Sequence, residues 1–213
     1  ITTDADIEKN LLQEMQKEII EDTFNMISVD GDTSTNDTVF VLANAMAGNE
    51  KITKKDQAYD AFRQGLAYVN EALAKQIAAD GEGCTKLFEV HVAGADTKEH
   101  AKTLSKSVVT SSLTKAAIYG KDANWGRILC ALGYCGVNFD PEKVDIRLKS
   151  NAGVIDIVKD GVATDYSEDE ATKILSEDEI TADIDVHNGE SEATAWGCDL
   201  THDYVSINAD YRS

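Results

Sequence analysis

The chain has 213 residues, 42% of them hydrophobic, and a formal net charge of −19. That length holds one large domain or two small ones with a real core, and the composition excludes a disordered chain. With no basic patch to neutralise phosphates, nucleic acid and anionic membrane surfaces are excluded as partners. No apolar run approaches the roughly 20 residues that span a bilayer, so the expectation is an acidic, soluble, cytoplasmic protein.

The chain opens Ile1-Thr2-Thr3-Asp4. There is no initiator Met and no signal-peptide shape, which reads as a processed or trimmed chain. Ile7, Leu11, Met15 and Ile19 recur every four residues, predicting a helix from Asp4 to Asp22 capped by Thr3 or Asp4. Ser28 to Thr38 then runs Ser-Val-Asp-Gly-Asp-Thr-Ser-Thr-Asn-Asp-Thr. Short polar side chains of this kind bond to nearby backbone and favour turns and caps, and Gly31 permits a tight turn. The flanks, Phe24 to Ile27 and Val39 to Leu42, read as core. A polar loop between apolar runs is either a rigidly mounted site or a capped surface turn. It lacks the spaced glycines and Lys-Ser/Thr pair of a phosphate loop. Thr38 to Ala47 is a second short helix or a buried strand.

Thr53 and Asp56 resemble a capping box, opening a long helix whose Tyr59, Phe62, Leu66, Val69, Leu73 and Ile77 form a core stripe. Asp80-Gly81-Glu82-Gly83 stops it and turns the chain. Lys86 to Val92 alternates as a half-buried strand with Phe88, Val90 and Val92 inward. Asp96 and Glu99 cap a helix running to about Ser112. Ala116 to Tyr119 reads as a short buried strand, and Gly120 to Gly126 as a loop feeding a helix with Trp125, Ile128, Leu129 and Leu132. Beyond Gly136, Val144 to Leu148 and Val154 to Val158 form a hairpin about Asn151-Ala152-Gly153. Ser167 and Glu170 open a short helix to Leu175. Strands Ile180 to Val186 and Ala193 to Leu200 pair through a hairpin turn at His187-Asn188-Gly189-Glu190. The organisation expected is a core α/β domain over residues 1–120, a small ββαββ domain over 121–200, and a tail over 201–213. That tail alternates from Tyr204 like one more strand and returns to the first domain.

Reactive side chains are sparse. Cys84, Cys130, Cys135 and Cys198, and the histidines His91, His100, His187 and His202, have no metal-ligand or redox spacing. Free thiols in a reducing compartment and no metal site follow. No Ser-His-Asp order and no nucleophile elbow is present. Paired carboxylates carry no signal in so acidic a chain. Either the chain is a non-catalytic interaction subunit, or its reactive groups come partly from elsewhere.

Thr23 to Thr38, Leu42-Ala43-Asn44, Gly81-Glu82-Gly83, Tyr119 to Arg127 and Ile207 to Tyr211 together resemble one family, in order, over nearly the whole chain. It is ornithine acetyltransferase, also called glutamate N-acetyltransferase, of arginine biosynthesis. The resemblance implies a layered α/β core of the amidohydrolase-like ornithine acetyltransferase type, completed by a separate α chain, plus a small C-terminal α/β domain. It also implies a precursor that cleaves itself at an Ala-Thr bond, an α2β2 heterotetramer, and transfer of acetyl from N-acetylornithine to glutamate. The nucleophile would be the threonine that becomes N-terminal, with its own α-amino group (pKa about 7.7–8.0) as base. That threonine falls just upstream of Ile1; Thr2 and Thr3 match the Thr-Thr-Asp-Ala that follows it, so no catalytic residue is assigned within this chain. By position, Glu82, Asn208 and Ser213 match the family's substrate-binding residues, while Asp30, Asp32, Asn36, Asn124 and Trp125 are motif residues with site-shaping roles. No cofactor is implied; acetyl-CoA enters only as a substrate of bifunctional members. A non-catalytic partner-binding subunit and an aminopeptidase with a self-generated N-terminal nucleophile are the alternatives.

Overall fold

Two sets of apolar side chains build two separate cores. The structure, a computed structural model, describes residues 1–211. These divide into two compact units, residues 1–25 with 32–74, and 26–31 with 75–211. The expected domain boundary at residue 120 falls inside the second unit, whose sheet draws strands from both sides of it.

In the first unit, β1 (Thr2–Thr3) pairs in parallel with β3 (Leu42–Ala43), and Ile7 bridges to Ile52. Because Thr2 and Thr3 are strand, helix α1 begins later than its apolar spacing predicts, at Lys9–Glu21. Glu8 rather than Thr3 or Asp4 caps it, accepting from the Leu11 N–H at 2.9 Å. Helix α2 (Gln57–Ala79) is capped by Asp56, which accepts from Ala58 and Tyr59, so Thr53 has no part in the cap. Met15 and Ile19 of α1 share a buried cluster with Tyr59 and Leu66 of α2. Inside it, the Gln16 side-chain amide donates to Asn70 Oδ1 at 2.7 Å, and Asn70 donates to the Leu66 carbonyl at 2.7 Å, so the buried amides are satisfied. The flank after the polar loop meets expectation only in part: Val41 packs against the core cluster, but its neighbours Phe40 and Leu42 do not. Phe40 and Leu42 are 67% and 64% exposed. A two-stranded parallel pair has no second layer here to cover it.

The second unit is a seven-stranded mixed sheet in the order β2-β9-β4-β8-β5-β6-β7. Its strands are β2 (Ile27–Ser28), β4 (Leu87–Ala95), β5 (Asp145–Ser150), β6 (Gly153–Lys159), β7 (Val162–Ala163), β8 (Glu179–Asp185) and β9 (Ser191–Cys198). Phe88, Val90 and Val92 are fully buried, as the alternation of β4 predicts. They pack with helices α3 (Lys98–Thr110), α5 (Trp125–Tyr134) and α6 (Glu168–Ile174) in one core. The β5–β6 hairpin and the Ser167 cap of α6 stand where the sequence places them.

Three expectations are corrected. Residues 116–119 are not a strand but the end of helix α4 (Ser112–Tyr119), capped by Ser111; a short apolar run does not distinguish the two by periodicity. Strands β8 and β9 are not a hairpin, because β4 lies between them, parallel to β8 and antiparallel to β9. The turn after β8 passes over the end of β4, where a Cβ on Gly189 would stand 2.4 Å from the Ala95 carbonyl oxygen. Only glycine fits that crossing. The tail is not a strand either: α7 (His202–Asp210) is a helix capped by Thr201. Among the described residues no helix is long and apolar enough to cross a membrane.

Candidate functional site

Everything at the site follows from how the chain leaves α2. Gly81 is buried, and a Cβ there would stand 2.9 Å from Cys198 Sγ and 3.0 Å from Val29 Cγ1. Gly83 has a positive φ of 66°, and a Cβ on it would meet the backbone of Asp203 and Tyr204 at 2.8 Å. Both glycines are therefore required, one for contact with the chain after β2 and one for contact with α7. Glu82 stands between them, exposed, on a loop whose two shoulders are fixed.

The N-terminus of α7 closes on the same loop. Thr201 Oγ1 donates to the Gly83 carbonyl at 2.7 Å and accepts from the Tyr204 N–H at 3.1 Å. Tyr204 Oη donates to Asp30 Oδ2 at 2.9 Å. Behind the loop, the carboxylate of buried Asp199 accepts from Thr85 N–H and Lys86 N–H at 2.8 and 3.1 Å. Three sequence-distant segments, carrying Asp30, Glu82 and Tyr204, thus meet.

The adjacent sulfurs are not nucleophiles. Burial pushes the Cys84 thiol up to about 11, with Cys198 and Asp199 adding to the effect. Burial also raises Cys198, against the pull of the Lys115 ammonium 3.6 Å from its sulfur. Both stay protonated near neutral pH, and reactivity needs the thiolate. Lys115, itself buried, donates to the Cys198 carbonyl.

Of the residues expected from sequence, Glu82 stands at the loop tip. Asn208 is exposed on α7, its side-chain amide donating to the Tyr204 carbonyl at 3.0 Å, one turn beyond the residue that holds Asp30. Ser213 lies outside the described residues. Asp30 belongs to this cluster, whereas Asp32 and Asn36 count with the other compact unit. Around Asn36 the polar stretch is a self-bonded turn, Ser34 Oγ accepting from Asn36 N–H at 3.1 Å. Asn124 caps α5, accepting from Arg127 N–H at 3.2 Å, and Trp125 packs against the core. Sequence reasoning missed Thr201 and Tyr204; a threonine three residues ahead of a bonded N–H is a helix-start signal, obscured by the alternation that follows it.

A separate cavity of about 330 Å³ is lined by His91, Asp145, Arg147, Asp156, Lys159 and Asp183 among others. Its charges are mutually paired, Arg147 with Asp156 at 2.7 Å, Lys149 with Asp183 at 2.9 Å and Lys159 with Asp145. The rings of His91 and His187 hydrogen-bond to Asp183 and Asp145 at 3.1 and 2.9 Å. Among the described residues no group of three or more His, Cys, Asp or Glu is placed to hold a metal ion.

The ArgJ family model matches residues 1–213. The chain is 50% identical over 213 residues to the arginine biosynthesis bifunctional protein ArgJ 1 of Clostridium acetobutylicum, covering all of this chain and 52% of that protein. It is 45% identical over 213 residues to the arginine biosynthesis bifunctional protein ArgJ of Thermotoga neapolitana, again covering all of this chain and 54% of that relative. It thus spans about half the length of these relatives. A crystal structure of the arginine biosynthesis bifunctional protein ArgJ from Bacillus halodurans superposes with a TM-score of 0.94 at 48% identity, covering 99% of this chain and 98% of that one.

Proposed function

Because this chain belongs to the ArgJ family, we propose that it is the β chain of an acetyltransferase that moves the acetyl group of N-acetylornithine to glutamate. The observation that carries the reading is Glu82, an exposed carboxylate on a loop that its flanking glycines pin on both sides. Such a carboxylate suits the ammonium of ornithine through a charge-assisted hydrogen bond, and a fixed loop spends little entropy in making it. Asn208 and Ser213 complete the substrate contacts in this reading.

The reacting group is a threonine just upstream of Ile1, freed by cleavage of a longer precursor. Its hydroxyl attacks the acetamide carbonyl while its α-amino group takes the proton; the amide C–N bond breaks and ornithine leaves protonated. The amine of glutamate then attacks the acetyl ester, the threonine oxygen leaves and recovers its proton, and N-acetylglutamate departs. No cofactor takes part. Two facts support a two-chain enzyme: curated relatives are about twice this length, yet the Bacillus halodurans chain is covered at 98%. The partner is the α chain of the same precursor, in an α2β2 assembly in the cytoplasm. The relatives' name, bifunctional, favours acetyl-CoA as a second acetyl donor to glutamate.

The test uses the complete precursor. Incubation with N-acetylornithine and glutamate, without acetyl-CoA, is expected to release ornithine and N-acetylglutamate in equal amounts. N-acetylornithine alone should leave one acetyl group on the new N-terminal threonine by mass spectrometry. Peptide cleavage without acetyl transfer would point instead to an aminopeptidase, and neither activity to a binding subunit.

A further inference from the structure

Helix α7 buries no side chain fully, and Val205 and Ile207 on it are 61% and 47% exposed. Apolar packing therefore does little to fix where this helix lies. Contacts at its first turn do that work: the His202 ring meets Tyr119 edge-on with centroids 6.0 Å apart, and polar bonds join it. Thr201 Oγ1 holds the Gly83 carbonyl, and Tyr204 Oη holds the Asp30 carboxylate at 2.9 Å. Gly83 lies so close beneath that turn that a Cβ on it would sit 2.8 Å from Tyr204 N. A shift of the helix start is thus passed directly to the loop that bears Glu82.

We propose that Tyr204 is a positioning residue for the substrate site: its hydroxyl, bonded to Asp30, seats the first turn of α7 against Gly83 and so sets where Glu82 and Asn208 stand. The ring is half-buried, but the hydroxyl reaches an exposed carboxylate. Its loss should therefore affect placement much more than core stability. The inference rests on the acetyl-transfer reading for its kinetic consequence, though not for its structural one.

The experiment compares Tyr204→Phe, Asp30→Ala and Asp30→Asn in the complete precursor. Tyr204→Phe keeps the ring and removes the donor; Asp30→Asn keeps an acceptor oxygen. Loss of one hydrogen bond should raise KM for N-acetylornithine about 5-fold in Tyr204→Phe and Asp30→Ala, with Asp30→Asn near the parent. Self-cleavage and melting should stay those of the parent, and the Tyr204→Phe/Asp30→Ala double variant should lose little more than either single one. In the unliganded enzyme, amide hydrogen exchange at Glu82 to Cys84 should quicken in Tyr204→Phe while that of β4 does not. Unchanged exchange there overturns the proposal, and so does quicker exchange with an unchanged KM. Should the parent enzyme fail to transfer acetyl at all, the acetyl-transfer reading falls, and the exchange measurement alone decides whether Tyr204 seats the loop.

Discussion

Gly83→Ala is the sharpest probe of the loop. At φ 66° an alanine suffers left-handed strain of about 1–2 kcal/mol. The added Cβ would also stand 2.8 Å from Asp203 C and Tyr204 N, which are backbone atoms and cannot rotate aside. Forcing them back is an overpacking cost of about 1–3 kcal/mol, so the combined destabilisation should be about 2–5 kcal/mol if α7 stays docked. If α7 lifts away instead, the strain is relieved in part and Glu82 is displaced, and misplacement by an ångström costs about 100-fold in rate. Gly65→Ala is the control: Gly65 lies within α2 with nothing inside 4 Å of an added Cβ, so it should stabilise by about 0.5–1 kcal/mol. Urea unfolding followed by circular dichroism, together with kcat/KM, reads both substitutions. A Gly83→Ala enzyme as stable and as active as the parent would refute the packing argument.

Glu82→Gln keeps the shape of the side chain and removes its charge. Loss of a charged hydrogen bond of about 1.5–3 kcal/mol should lower kcat/KM for N-acetylornithine by about 10- to 150-fold with self-cleavage intact; an unchanged kcat/KM returns Glu82 to a plain loop residue. Asp145 is partly desolvated, which would raise its pKa, but hydrogen bonds from Lys159, the Asp160 N–H and His187 outweigh this and hold it at about 2. A carboxyl depressed in the fold stabilises above its unfolded value and loses that contribution as pH falls through the folded one. The stability difference between the parent and Asp145→Asn, about 1 kcal/mol after solvent screening of the exposed partners, should vanish between about pH 4 and pH 2. A difference constant across that window in acid-unfolding curves would contradict it. The proposed mechanism places the reacting threonine outside residues 1–213, so this chain expressed alone should show no acetyl transfer; measurable turnover would sink the two-chain reading.

The strongly periodic elements were legible. The alternation of β4 and the β5–β6 hairpin rest on local spacing that tertiary context did not override. The stripe of α2 held only in part: Tyr59 and Leu66 are buried, but Val69 and Ile77 are exposed and the buried face continues through Asn70, Ala74 and Ala78. Residues 116–119 and 204–211 went the other way. In α4 the buried set is Thr114, Lys115, Ala117 and Ile118, a helical stripe that includes a lysine, so a hydrophobic count from Ala116 onward reads only its apolar half. The insertion of β4 between β8 and β9 was not legible from the turn, since His187 to Glu190 has hairpin composition whether or not another strand passes beneath it. Its signature is Gly94 at φ 72°, whose added Cβ would collide with Asp185 and His187. That requirement belongs to the assembled sheet and leaves no local pattern.

The same distinction separates the two polar segments at the candidate site. Ser34 to Thr38 satisfies itself: its hydroxyls and amides bond within the turn. Gly81 to Gly83 has almost no side chain with which to do so, and takes its conformation from Val29, Cys198, Thr201 and Tyr204. A turn held by its own groups keeps its shape wherever it is placed, whereas a loop held by its neighbours reports their positions. Glu82 therefore depends on two distant segments at once, residues 29–30 and 198–204, and a substitution in either should reach it. A carboxylate mounted this way can be aimed without a stiff side chain of its own, which is what the proposed recognition of a single ammonium requires.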